Sequence, residues 1–283
     1  RRRPDFTLAA ADRPHLADIC RLVDGMPLGL ELAATWVEML SLPQIAAEIR
    51  HNLDFLETAV HNIPARHRSM RAVFDASWQR LTNEEQNAYA QLTVFRGGFT
   101  AAAAKAVTGA SLPTLASLVK QSLLRATPGA GRYDIHELLR QYASAKLEES
   151  DTEESAVRDR HAAYFCGLLQ EKAADLKGAR QQDALREIES ELENADVAWR
   201  RATDRQQLAQ LAQSLEALAL FYKWHGRVRE GHATCGLAVD QLHASTRSAG
   251  AADRAHLLLR LYTWRSVFDL WSANYDATEQ ALQ

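Results

Sequence analysis

The sequence predicts a mainly α-helical chain: a small helical bundle, then helices closed by one β-hairpin, then an array of paired helices. Three observations carry that reading. Apolar residues recur at helical spacing through nearly all of the 283 residues. The period shortens to two in a single place, on either side of Pro128-Gly129-Ala130-Gly131. Turn formers are scarce, with 13 Gly and 7 Pro in a chain that is 47% hydrophobic and 24% charged. The length exceeds what one hydrophobic core usually supports, so two or three compact units are expected.

The bundle is read over residues 8–60. Leu16, Ile19, Cys20 and Val23 share one face of a helix from Pro14 to Val23, and Gly25 stands where such a helix ends. A second helix opens at Pro27, which loses no hydrogen bond in a first turn, with Leu30, Ala33, Ala34 and Val37 as its stripe. Ser41-Leu42-Pro43-Gln44 has the spacing of a capping box and starts a third. Ile63-Pro64-Ala65-Arg66-His67-Arg68 is polar and Pro-broken and reads as a linker.

The second unit is read over residues 64–150. Thr82-Asn83-Glu84-Glu85 is another capping box, launching a helix with Ala88, Tyr89, Leu92 and Phe95 inward until Gly97-Gly98. Thr100 to Val107 and Ser111 to Ser122 give two more helices. Leu124 and Ala126, then Tyr133 and Ile135, alternate about the Pro-Gly-Ala-Gly turn as a hairpin. A closing helix from about His136 to Leu147 makes this the order of a winged helix.

The acidic run from Glu148 to Glu154 reads as a solvated linker, and residues 155–283 as a TPR-like α-solenoid. Helix pairs are placed at 156–176 with 179–203, at 206–225 with 227–243, and at 253–272 with 274 onward. Trp224-His225-Gly226 lines up with Trp271-Ser272-Ala273 at an offset of about 47, within the range of two-helix repeats. Tyr222, Trp224, Trp264 and Trp271 are expected to pack between repeats, and the array to continue past residue 283.

The formal net charge of -3 offers no global attraction for nucleic acid or an anionic membrane. Cys20, Cys166 and Cys235 form no CxxC pair, which fits a reducing, cytoplasmic setting. No apolar run approaches the roughly 18 residues of a membrane span. Arg1-Arg2-Arg3-Pro4 leads into no apolar stretch, and the chain reads as beginning within a longer sequence.

Several segments together resemble the bacterial STAND regulators, relatives of the NB-ARC switch ATPases, in the branch found among LuxR-type and antibiotic-regulatory-type transcription factors. Cys20-Arg21-Leu22-Val23-Asp24-Gly25-Met26-Pro27-Leu28-Gly29-Leu30 is similar to the family's GLPLA motif running into a helix. Arg66 to Arg71, Ser77 to Leu81 and Val94-Phe95-Arg96-Gly97-Gly98-Phe99 resemble its entry into the winged helix. Tyr133-Asp134-Ile135-His136-Glu137-Leu138 is similar to the MHD motif, with Ile-His-Glu in place of Met-His-Asp. Glu191-Leu192-Glu193-Asn194-Ala195-Asp196-Val197-Ala198-Trp199 resembles the acidic-Asn-Ala-Trp helix that follows.

The resemblance implies a lid and a winged helix contacting ADP or ATP, with Mg, held by a P-loop domain that this chain lacks. It puts Gly25 and Pro27 at the adenine and His136 at the diphosphate. An Asp134-x-x-Glu137 cap would set His136 in a first helical turn, where free N–H groups and the positive dipole end favour an anion.

No Gly-Lys pair closes a glycine loop anywhere, so the chain itself is expected to be no enzyme, with no catalytic residues. Its expected partners are the P-loop domain and an effector protein or small molecule on the repeats. DNA binding is the main rival, but the candidate recognition helix offers only Lys120 and Gln121 as base readers, and Arg66, His67, Arg68 and Arg71 suit a charged linker or an intramolecular contact to the missing domain better. His225, His232 and Cys235 are weighed as metal ligands and read as scattered residues instead. A plain repeat scaffold is the third alternative.

Overall fold

The fold is that of a computed structural model, which describes residues 12–57, 68–244 and 251–282, with backbone alone at Glu38 and at 274–282. The described residues form fourteen α-helices and one small antiparallel sheet, a mainly α fold. They divide into two compact units, residues 1–94 with 100–154, and residues 95–99 with 155–283.

The first unit begins with α1 (Arg13–Leu22), α2 (Pro27–Ala34), a 3-10 turn Thr35–Glu38 and α3 (Leu42–His51). The capping box forms as its spacing requires: the Ser41 N–H donates to Gln44 Oε1 at 3.0 Å. Ile19, Val23, Leu32, Ala33, Ile45 and Ile49 are the core of these helices. The α2 stripe differs from the expected one. Gly29, Leu32 and Ala33 face inward while Leu30 is half-buried and Ala34 exposed, because the 3-10 turn shifts the inner face onto Trp36. That indole donates to the Phe55 carbonyl at 3.1 Å and stacks on its ring at 4.6 Å. Ile63 to His67 lie outside the described residues.

Next come α4 (Met70–Trp78), α5 (Asn83–Leu92), β1 (Phe99–Thr100), α6 (Ala101–Thr108), α7 (Leu112–Lys120), β2 (Arg125–Thr127), β3 (Arg132–Asp134) and α8 (Glu137–Leu147). The Thr82 capping box is made in both directions, with Thr82 N–H to Glu85 Oε2 at 2.8 Å and Glu85 N–H to Thr82 Oγ1 at 3.2 Å. The hairpin pairs Arg125 with Asp134, Ala126 with Tyr133 and Thr127 with Arg132, and the sheet order is β1-β3-β2. Two elements were not anticipated. Helix α4 follows the Pro-broken stretch and is capped by Ser69 Oγ at 3.1 Å from the Ala72 N–H. Strand β1 has two residues, too few for an alternation to register. Buried Tyr89 donates to the Leu123 carbonyl at 3.1 Å, which ties α5 to the foot of the hairpin. Helix α5 stops at Leu92, so Phe95 lies past its end rather than on its face.

The second unit is built on α9 (Asp151–Asp175), α10 (Gln181–Ser190), α11 (Leu192–Asp204), α12 (Leu208–Trp224), α13 (Val228–Ala244) and α14 (Ala251–Leu282). The acidic run is no linker. Asp151, Glu153 and Glu154 are the first turn of α9, where carboxylates complement the helix dipole, and Glu153 accepts from Gln91 Nε2 at 2.8 Å. The expected 179–203 helix is two, broken at Glu191. The expected break near Trp271 does not occur. Gly226 turns the chain after Trp224 at φ +69°, whereas Ser272-Ala273-Asn274 holds no glycine and α14 runs straight through. Trp199 is buried and donates to the Thr234 carbonyl at 3.1 Å; Trp224, by contrast, is 47% exposed rather than core. Among the described residues no single helix is long and apolar enough to cross a membrane.

Candidate functional site

The expected site residues all fall in the first unit. At the end of α1 the Gly25 N–H reaches back to the Cys20 carbonyl at 2.9 Å and the Asp24 N–H to that of Arg21 at 3.1 Å. Asp24 and Gly25 both take positive φ, 54° and 65°, and an atom added at the Gly25 Cβ position would meet nothing within 4 Å. Gly25 is therefore required by conformation and leaves open space above it. Met26 is extended, as a residue before proline must be, and Pro27 is the first residue of α2. Asp24, Gly25 and Pro27 are exposed. Behind them Gly29 allows a close approach, since a Cβ there would lie 2.9 Å from Val23 Cβ.

His136 caps α8 itself. Its Nδ1 accepts from the Leu138 N–H at 3.3 Å, while Asp134, the expected cap, turns its carboxylate to the Ile135 N–H at 2.8 Å. The aspartate is spent on its own neighbour, so the first-turn position expected for the imidazole becomes the cap position. The backbone of Arg21 lies beside the ring and favours its protonated form. Burial, and then the nearby Arg125 guanidinium, push its pKa below the ordinary histidine value, partly countered by the Arg21 backbone. The imidazole is thus neutral at pH 7, with one nitrogen accepting and the other able to donate.

The structure brings the turn and the histidine together. His136 lies beside the backbone of Arg21, four residues before Gly25, and Arg125 on β2 makes an ion pair with Asp24 beside it. Two further ties lie alongside. Gln141 Nε2 donates to the last carbonyls of α3, Ile49 at 3.3 Å and Arg50 at 2.8 Å, and Arg71 Nη2 pairs with Asp54 Oδ2 at 3.1 Å. Arg140, which Glu137 neutralises, also borders the imidazole.

The Gly25–Pro27 surface is exposed, and no atom lies within 4 Å of the Gly25 Cβ position. Arg125 and Arg140 border the imidazole, the first paired with Asp24 and the second with Glu137. The sequence assigns no role to Asp24, Gly29, Arg125 or Gln141. Asp24, Arg125 and Gln141 act through partners distant in the chain, which no local pattern reveals.

The alternatives also have definite positions. On α7, Leu112 is 62% exposed and Pro113 and Ala116 are exposed, while Ser117 donates to Glu85 at 2.5 Å and Thr114 to Glu84 at 3.3 Å. Lys120 is exposed in the last turn of this helix. His225 lies against Phe221, His232 beside Asp269 and Arg265, and Cys235 is buried. Among the described residues no three His, Cys, Asp or Glu group as metal ligands.

Comparison with known proteins adds relatives of greater length. The chain is 33% identical over 282 residues, 93% of its own length, to proteins of Mycobacterium tuberculosis and Mycobacterium bovis that each bear the name "Putative HTH-type transcriptional regulator". It spans 31% of the length of those relatives. A second Mycobacterium tuberculosis protein, named only as uncharacterized, is 33% identical over 174 residues, which is 58% of this chain and 44% of that protein. No family model and no solved structure matches.

Proposed function

We propose that this chain is the regulatory and sensor part of a STAND-type nucleotide switch that controls transcription. The helices around α1 to α3 act as its lid, the winged helix as its coupling element and the second unit as its TPR-like sensor. A P-loop domain elsewhere in the parent protein holds ADP or ATP with Mg and carries any ATPase activity. Gly25 and Pro27 face the base and His136 the diphosphate. The observation that carries the reading is the pair of contacts, His136 beside the Arg21 backbone and Arg125 to Asp24, which draw turn and histidine to one locality. The name borne by the relatives supports the transcriptional output.

The chemistry of the lock follows from the single donor. A neutral imidazole whose Nδ1 lone pair is occupied has one N–H left to give. The Arg21 carbonyl and a phosphate oxygen are rival acceptors for it, and the charged acceptor makes the stronger bond. Nucleotide state and the lid-to-wing contact are thereby linked through one proton donor.

The test is made on the parent protein. His136→Ala should speed release of a fluorescent ADP at least about tenfold, the scale of one charge-assisted hydrogen bond. An unchanged release rate removes His136 from the site. The present chain alone should show no micromolar ADP binding by calorimetry, and clear binding there overturns the division of labour. Retention on DNA at low salt, abolished by neutralising Lys120, would instead favour the winged helix as a DNA reader.

A further inference from the structure

Within the second unit, the peptide Phe95–Phe99 is held by one amide. Asn194 on α11 is fully buried. Its Oδ1 accepts from the Arg96 N–H at 2.7 Å and its Nδ2 donates to the Gly98 carbonyl at 2.9 Å, so one side chain reads both strands of the peptide's turn. The amide's remaining capacity is also used. Nδ2 donates to Glu191 Oε2 at 3.1 Å, and His161 Nε2 on α9 lies 3.3 Å from Oδ1. The orientation of the amide is set by this network, since a backbone N–H must meet its oxygen and a backbone carbonyl its nitrogen.

Sterics and packing support the same grip. Gly97, between the two bonded residues, takes φ +67°, and a Cβ there would lie 3.1 Å from Glu193 Cδ. Phe95 stacks on Phe99 at 4.6 Å and meets Phe165 edge-on at 6.1 Å. Burial of two aromatic rings provides the affinity, and the amide provides the register.

We infer that Asn194 is the receptor for the Phe95–Phe99 peptide, a positioning residue through which the helical array controls the segment joining α5 to α6. The Phe-Arg-Gly-Gly-Phe and Glu-Leu-Glu-Asn stretches are then two halves of one device. The chain leaves the first unit after Val94 and returns at Thr100, so whatever shifts α9 against α11 breaks the grip and frees that segment. Its use in signalling rests on the switch reading above, but the grip itself does not.

Hydrogen exchange by mass spectrometry on the full chain tests it, with Asn194→Ala and Gly97→Ala as variants. In the wild type, amides of residues 95–100 should be protected. In both variants they should exchange about tenfold faster or more, with α12 and α13 unchanged. Free exchange of 95–100 in the wild type, or undiminished protection in Gly97→Ala, overturns the proposal. Should Asn194→Ala unfold the whole unit, Gly97→Ala decides alone, because it leaves every side chain of the network in place. Local release with unaltered ADP retention in the parent would keep the grip and remove its link to the switch.

Discussion

The two polar sites differ in how much water they keep. Around His136 the ring is half-buried, its cap bond is long at 3.3 Å, and its neighbours are surface ion pairs. Around Asn194 the amide, His161 and Glu191 are buried, and the amide spends its full hydrogen-bonding capacity on fixed partners. A half-hydrated donor can trade one acceptor for another at little cost, whereas a dry, saturated amide holds or lets go as a whole. The first arrangement leaves its donor open to exchange with water, and the second fixes its partners.

Acid should separate them most strongly. His161, beside Asn194, is held at a pKa of about 4 by burial, against an ordinary 6.5, with Arg96 and Arg158 adding to the depression and the Asn194 bond opposing it. The folded pKa lies below the unfolded one, so the unfolded chain binds the extra proton first. The contribution is complete above pH 6.5 and is lost as pH falls toward 4, amounting to about 3 kcal/mol. Urea midpoints across that range should fall for the wild type and flatten in His161→Asn, after allowance for the carboxylates common to both. Parallel curves would mean that His161 titrates normally and that the joint is wetter than described.

A smaller effect is expected in the first unit from Gly29→Ala. Its Cβ would press on Val23, which is fully buried, so α2 must move off α1 at a cost of about 1–2 kcal/mol. A chemical denaturation midpoint matching the wild type would show that the approach has slack. Smallest in stability is Arg125→Ala. The Asp24 pair is solvent-exposed on both sides and should cost less than about 1 kcal/mol. Yet Arg125 is one of the groups depressing the His136 pKa, so its removal should raise the histidine's titration midpoint, followed by NMR. A midpoint that does not move would detach the wing from the site and weaken the contrast.

What the sequence revealed depended on the range of the interaction. The Ser41–Gln44 and Thr82–Glu85 boxes act over three residues and were legible outright, as was the hairpin about Pro128-Gly129-Ala130-Gly131. The Asp-x-x-Glu spacing points to Asp134 as the cap of α8, but the same spacing permits a shorter bond to Ile135, which the structure has. The break assigned near Trp271 failed because aromatic spacing alone does not end a helix. The Asn194 stretch was recognisable as a motif, but its role was not, since its partners Arg96 and Gly98 lie almost a hundred residues earlier. The turn at Gly25 is visible in the sequence, while Arg125, its support across the unit, and Gln141, which ties α8 to α3, are hidden for the same reason.

The excursion of Phe95–Phe99 has an evolutionary corollary. Because the chain crosses between units at 94/95, 99/100 and 154/155, no single cut yields two self-sufficient pieces. A gene fragment ending at Glu154 would strand two phenylalanines, 3% and 1% exposed in the intact chain, in water and invite aggregation. Recombination that swaps the helical array for another must therefore bring a matching peptide with it, which ties the inheritance of the two halves together.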